Sequence, residues 1–122
     1  MSLLKRFKSF GYAFKGLITL FREEIHAQFH IFATFIVLSA GWYFEISKIE
    51  WCLIILSIAI VISAEAFNTA LENLTDLTSP EIHPLAGKVK DVAAGAVLIT
   101  SIGAAAIGII IFLPKALTAW SF

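Results

Sequence analysis

Apolar and polar positions along this chain recur with helical periods and divide it into four segments. Over residues 3–22, Phe7, Phe10, Phe14, Leu17 and Phe21 return at spacings of three and four and cover one face, while Lys8, Lys15 and Arg22 line another flank. An aromatic stripe beside a basic one suits a helix lying in a membrane interface, with rings at the acyl boundary and cations near anionic headgroups. The competing placement is a helix packed on its own soluble domain, but little soluble chain remains to receive it.

Three longer apolar segments follow. The first, about 25–44, enters through His26, Gln28 and His30 and is apolar after Ile31; Glu45, Lys48 and Glu50 then form a short turn flanked by Trp42, Tyr43 and Trp51, as an aromatic belt would be. Trp51 to Ala64 is wholly apolar yet too short for a hydrocarbon core of about 30 Å, which takes about 20 helical residues. The second span is therefore expected to run through Glu65 to about Leu71. Residues 73–91 read as a polar loop in which Ser79-Pro80 and His83-Pro84 break any helix. The third span, 92–113, carries no charge and is expected to close at Pro114. Its small residues, Ala93 to Ala96, Gly103 to Ala106 and Gly108, would let helices approach closely in lipid, and three helices enclose little volume, so an oligomer is expected.

Composition sharpens this picture. Of 122 residues, 59% are hydrophobic and the mean hydropathy is +0.89, against about 45–50% apolar residues in ordinary soluble domains. The reading is one all-α membrane domain over residues 1–122, with no internal repeat. Nine basic and nine acidic side chains balance, which excludes a nucleic-acid partner recognised through a basic surface. The lone Cys52 allows neither an intramolecular disulfide nor a cysteine metal site. Lys5, Arg6 and Lys8 are followed by further charges and no small-residue cleavage site, so the first segment is expected to stay in the mature protein. Basic residues gather before the first span and at Lys88 and Lys90, which predicts that the N-terminus and the 73–91 loop face the cytoplasm.

The charges that remain are few and placed in a pattern. At about 100° per residue, Glu65, Asn68, Glu72 and Asp76 fall within an arc of about 80°, forming one helix stripe. With Glu72 at the membrane boundary, Glu65 lies about 10 Å deeper, where insertion scales charge about 2.5–3.5 kcal/mol for an acidic residue. One reading makes Glu65 a protonated assembly contact. Three carboxylates on one stripe favour another, because like charges repel unless a cation, basic groups or protonation relieve them. Their hard oxygens suit Mg²⁺, which takes one or two protein carboxylates and completes its shell with water and phosphates. Glu24, at the same end of the first span, stands level with Glu72, although like its neighbour Glu23 it also reads as a solvated charge. His83, Lys88, Lys90 and Asp91 bring complementary groups for phosphates. No GxxxxGK[ST] pattern occurs, so a nucleotide site here is not a P-loop. His26 and His30, one turn apart, are either metal ligands or hydrogen-bonding residues at the interface.

The stretch EAFNTALENLTDLTSPEIHPLAGKVKDVAAGAVL, residues 65–98, resembles the small prokaryotic diacylglycerol kinases and undecaprenol kinases. The shared pattern is Glu-x-x-Asn-[Ser/Thr]-Ala-x-Glu-x-x-x-Asp, then Glu-x-His and Lys-Asp-x-x-x-x-Ala-Val. FGYAFKGL at 10–17 also looks like the family's interfacial helix, and Glu24 falls where its first-helix carboxylate belongs. The resemblance implies a homotrimer of three-span subunits in the bacterial inner membrane, with composite sites at the cytoplasmic interface. It implies that ATP and Mg²⁺ are used to phosphorylate a lipid alcohol. By this likeness Glu65 would be the general base toward the lipid hydroxyl, Glu24 and Glu72 would hold Mg²⁺ with ATP, and Asn68 would orient Glu65. Tyr12, Glu81, His83, Lys90 and Asp91 match positions around the nucleotide, Phe14 and Lys15 belong to the surface helix beside the lipid, and Asp76 closes the stripe. His26 and Gln28 depart from the Gram-positive pattern of an Asn and a basic residue. AAGAVL and the FLPK ending look more like the undecaprenol kinase branch, which makes undecaprenol the first expected substrate and diacylglycerol the second.

Two rival classes meet the same composition. A small proton-coupled multidrug transporter would use an intramembrane Glu, but has no need of an acidic stripe continuing to Lys90-Asp91. A non-catalytic assembly subunit would not consume ATP.

Overall fold

The computed structural model describes residues 2–121, and among these every regular element is an α-helix: α1 Leu3–Glu23, α2 Ile25–Tyr43, α3 Lys48–Thr78 and α4 Pro84–Ala119. The last three are long and apolar enough to cross a membrane. Local chemistry sets each boundary. The Ser2 hydroxyl accepts from the Lys5 N–H at 3.3 Å and starts α1. A single extended residue, Glu24, separates α1 from α2, and the Gln28 side chain donates across this joint to the Arg22 carbonyl at 3.3 Å. Gln28, one of the residues that departs from the family pattern, therefore satisfies a carbonyl at the end of α1.

The α2–α3 turn combines two capping devices. Glu45 adopts a left-handed φ of 51°, the Ile46 N–H returns to the Gly41 carbonyl at 3.2 Å, and the Glu45 N–H returns to Trp42 at 3.3 Å, a Schellman arrangement. Ser47 and Glu50 then form a reciprocal capping box that opens α3.

Two expectations are corrected. Residues 73–78 and 84–91 are helical, so the polar loop 73–91 contracts to the link Ser79–His83. Polarity does not end a helix whose backbone groups are paired; Leu71, Leu74 and Leu77 keep a helical spacing through the end of α3. Pro84 occupies the first turn of α4, where its missing N–H costs nothing, and His83 Nδ1 caps the helix by accepting from the Leu85 N–H at 3.1 Å. Pro114 likewise does not end α4, which continues to Ala119. Proline removes one ladder bond, and here the following turn is held by Lys115, 3.4 Å from Glu50 of α3.

Packing is strongest between α3 and α4, with α2 against α3. The buried apolar cluster is small: Ile46, Ile54 and Ile111, flanked by Val37, Phe44, Trp51, Ile58, Ile107 and Phe112. It lies at the end of the bundle near the α2–α3 turn, opposite the polar stripe. Elsewhere the helices turn large apolar side chains outward, among them Phe32, Phe35, Ile99 and Ile110. On α1 only Leu20 is buried, and Phe7, Phe10 and Phe14 are about two-thirds exposed. The aromatic face of α1 is thus not packed on the rest of the chain.

Candidate active site

The stripe on α3 is buried at its inner end and open at its outer end, where Glu72 is half-buried and Asp76 exposed. Glu65 is 3% exposed, Asn68 8% and Thr75 9%. Such burial is tolerable only with partners, and for Glu65 the partner is His30 of α2, whose Nε2 lies 3.6 Å from Glu65 Oε2. The hairpin register accounts for this meeting: Glu65 stands almost as far beyond the Ser47 cap as His30 stands before it. His30 thus faces a carboxylate, while His26 is exposed.

The Asn68 amide makes its hydrogen bond to Glu72 rather than to Glu65. Its Nδ2 donates to Glu72 Oε1 at 3.4 Å, and its Oδ1 is buried without a partner. The four-residue spacing puts the shorter amide beside Glu72, one turn toward the helix end, so Asn68 braces the outer carboxylate. Asp76 and Lys90 meet at 2.5 Å and tie the ends of α3 and α4 together. The bond to Asp76 raises the Lys90 pKa, with added attraction from Asp76 and Glu72. Lys90, which the family likeness put at the nucleotide, is therefore engaged with Asp76 in the chain as it stands.

A cleft of about 550 Å³ runs between α1 and α3. Tyr12, Lys15 and Glu24 line it from α1 and the joint, and Thr69, Ala70 and Asn73 from α3. Three residues far from the stripe in sequence thus converge on the turn that carries Glu72. The Thr69 hydroxyl is buried without a partner. Phe14 lies outside this lining and is exposed, as are Glu81, His83 and Asp91. A second cavity, about 260 Å³ and almost wholly apolar, opens between α2, α3 and α4 with His30 at one end, then Ala33, Val61, Ala104, Ala105 and Gly108.

Among the described residues no three His, Cys, Asp or Glu side chains form a ready metal cage. The donor chemistry nonetheless fits Mg²⁺, which needs only one or two carboxylates when phosphates and water supply the rest. Neither Glu24 nor Glu72 makes an ion pair within 4 Å among the described residues, and both stand at the same end of the bundle, although only Glu24 lines the α1–α3 cleft.

Fold and site together define a small helical membrane protein whose carboxylates gather at one end of three membrane-length helices. Residues 11–112 match the family model described as prokaryotic diacylglycerol kinase. The undecaprenol kinase of Bacillus subtilis is 45% identical over 109 residues, covering 89% of each chain. A diacylglycerol kinase of Synechocystis is 35% identical over 111 residues, 90% of this chain and 63% of the relative; that of Escherichia coli K12 is 30% identical over 95 residues, 78% of each. The chain belongs to the prokaryotic diacylglycerol kinase family and is a lipid kinase. The transporter reading is not favoured.

Sequence reasoning missed His30 as the partner of Glu65, and missed Thr69 and Asn73 as cleft residues. The signal for His30 was present as the equal distance of the two residues from the turn. Thr69 and Asn73 differ from the acidic stripe only in facing α1, which helical periodicity alone does not reveal.

Proposed function

We propose that this kinase transfers the γ-phosphoryl group of ATP to the primary hydroxyl of a membrane lipid alcohol, undecaprenol in first place, at the cytoplasmic membrane face. The observation that carries the proposal is Glu65, 3% exposed and 3.6 Å from His30, where the polar end of the bundle meets the apolar cavity. A lipid chain laid along that cavity brings its terminal hydroxyl to the carboxylate. Glu65 accepts the hydroxyl proton as the lipid oxygen attacks the γ-phosphorus in line and ADP leaves.

Tyr12, Lys15 and Glu24 receive the nucleotide from the α1 side of the cleft, with Lys90, Glu81, His83 and Asp91 around its edge. Glu24 and Glu72 would hold Mg²⁺, and Asn68 fixes the Glu72 carboxylate for that purpose. An ion held there would supply positive charge against the phosphates of the nucleotide. The aromatic face of α1, with Phe14, rests in the membrane interface, and the basic residues of α1 and Lys88 keep the N-terminus and the Ser79–His83 link cytoplasmic in a bacterial inner membrane. The outward apolar faces and small residues of α4 support packing between subunits, as a homotrimer with shared sites. Undecaprenol stands ahead of diacylglycerol because the undecaprenol kinase relative is 45% identical over 89% of the chain.

The test offers labelled ATP and Mg²⁺ to the purified protein with undecaprenol or diacylglycerol in mixed micelles at equal surface concentration. Label in the lipid phase, greater with undecaprenol, is expected. Transfer to neither lipid refutes the proposal, and preference for diacylglycerol reverses its substrate order.

A further inference from the structure

A general base must lose the proton it gains in each turnover, and Glu65 at 3% exposure has almost no contact with water. Its neighbours are few. From α3, Asn68 turns its amide to Glu72. From α4, residues 92–113 carry no titratable side chain, and the Thr100 hydroxyl is taken up by the Ala96 and Val97 carbonyls. From α2, the Thr34 hydroxyl is bonded to the His30 carbonyl at 2.7 Å, and His26 is exposed one turn away. The charged groups of α1 and the joint, Lys15, Glu23 and Glu24, face the later part of α3, from Ala66 to Asn73. Among the described residues the titratable group in contact with Glu65 is His30, and the His30 side chain is 23% exposed.

We infer that His30 is a positioning residue that holds the Glu65 carboxylate and carries its proton out of the bundle. The inference rests on Glu65 being the base. After phosphoryl transfer the Glu65 O–H bond breaks, the Nε2 lone pair of a neutral His30 takes the proton, and Glu65 returns to the carboxylate. The imidazolium then gives the proton to water that enters beside His30 once the lipid product has left the cavity. A separation of 3.6 Å is a loose contact of the kind that tightens when substrate closes a site. While the proton is on His30 the two charges of the pair face one another, so neither is left unpaired in the bundle.

The experiment compares wild type, His30→Gln, His30→Ala and Glu65→Gln as purified full chains. Glutamine at 30 can still donate to the carboxylate but holds no proton. His30→Gln is expected to lower kcat by about 100-fold, the lower end of a general acid–base contribution, with little change in the KM for ATP. Its pH–rate profile should lose the limb due to the imidazole, and added imidazole should restore part of the His30→Ala rate. Wild-type rate and profile in His30→Gln overturn the inference. A slower enzyme with an unchanged profile and no response to imidazole assigns His30 a structural role and overturns the proton role. Turnover surviving in Glu65→Gln removes the base reading itself; an inactive Glu65→Gln beside a wild-type-like His30→Gln removes the relay alone.

Discussion

A methyl group added at Gly41 would test the packing that sets the hairpin register. Its Cβ would sit 2.7 Å from Trp51 Cη2, 3.0 Å from Cζ2 and 3.1 Å from Ile46 Cδ1. Carbon atoms pack best at about 3.5–4.0 Å, so the nearest contact is short by about 0.8 Å. The indole ring is flat and stiff, and it lies against the Ile46, Ile54 and Ile111 cluster. Ile46 is itself tied to Gly41 through the Schellman bond. Overpacking of this kind costs about 1–3 kcal/mol, while glycine to alanine within a helix returns about 0.5–1 kcal/mol. Gly41→Ala is therefore expected to destabilise by about 0.5–2 kcal/mol. The assay is equilibrium unfolding in mixed micelles with increasing dodecyl sulfate, beside Gly87→Ala, where a Cβ meets nothing within 4 Å. Gly41 is level with Ile54, and 11 residues of helix put Glu65 about 16 Å away, so turnover per folded protein should be unchanged. Gly41→Ala as stable as Gly87→Ala would refute the reasoning.

Two further predictions concern the same end of the bundle. Glu45→Gly should raise the unfolding free energy by about 1 kcal/mol, since a side chain at φ 51° carries a steric cost that glycine escapes; a lower unfolding free energy would show that the Glu45 side chain contributes more than its backbone strain costs. Hydrogen bonding from the Ser47 backbone, helped by the Ser47 hydroxyl and Lys115, holds the Glu50 carboxyl below its ordinary 4.5. That contribution is complete above the ordinary carboxylate pKa and is lost as pH falls through the depressed value. Stability should therefore drop more between pH 5 and about pH 3 in wild type than in Glu50→Gln, and parallel curves would dismiss the linkage.

The periodicity of apolar residues sufficed for four helices, and the arc shared by Glu65, Asn68, Glu72 and Asp76 sufficed for one polar face, because both follow from the 100° turn of a helix about its own axis. The likeness over residues 65–98 reached the family for a related reason: its motif lies mostly on two adjacent helices and keeps its spacing within each. Other features depend on where one helix stops and how the next returns. Ser79–His83 is a short link rather than a long loop because proline at the first turn and a histidine cap let α4 begin early. Asn68 serves Glu72, Lys90 answers Asp76, and His30 reaches Glu65 because the Glu45 and Ser47 caps set how α2 slides along α3. A helix carries the angular position of its own side chains in its residue spacing, but the offset of its neighbour depends on turn geometry and on contacts such as Trp51 over Gly41, which no single periodicity encodes.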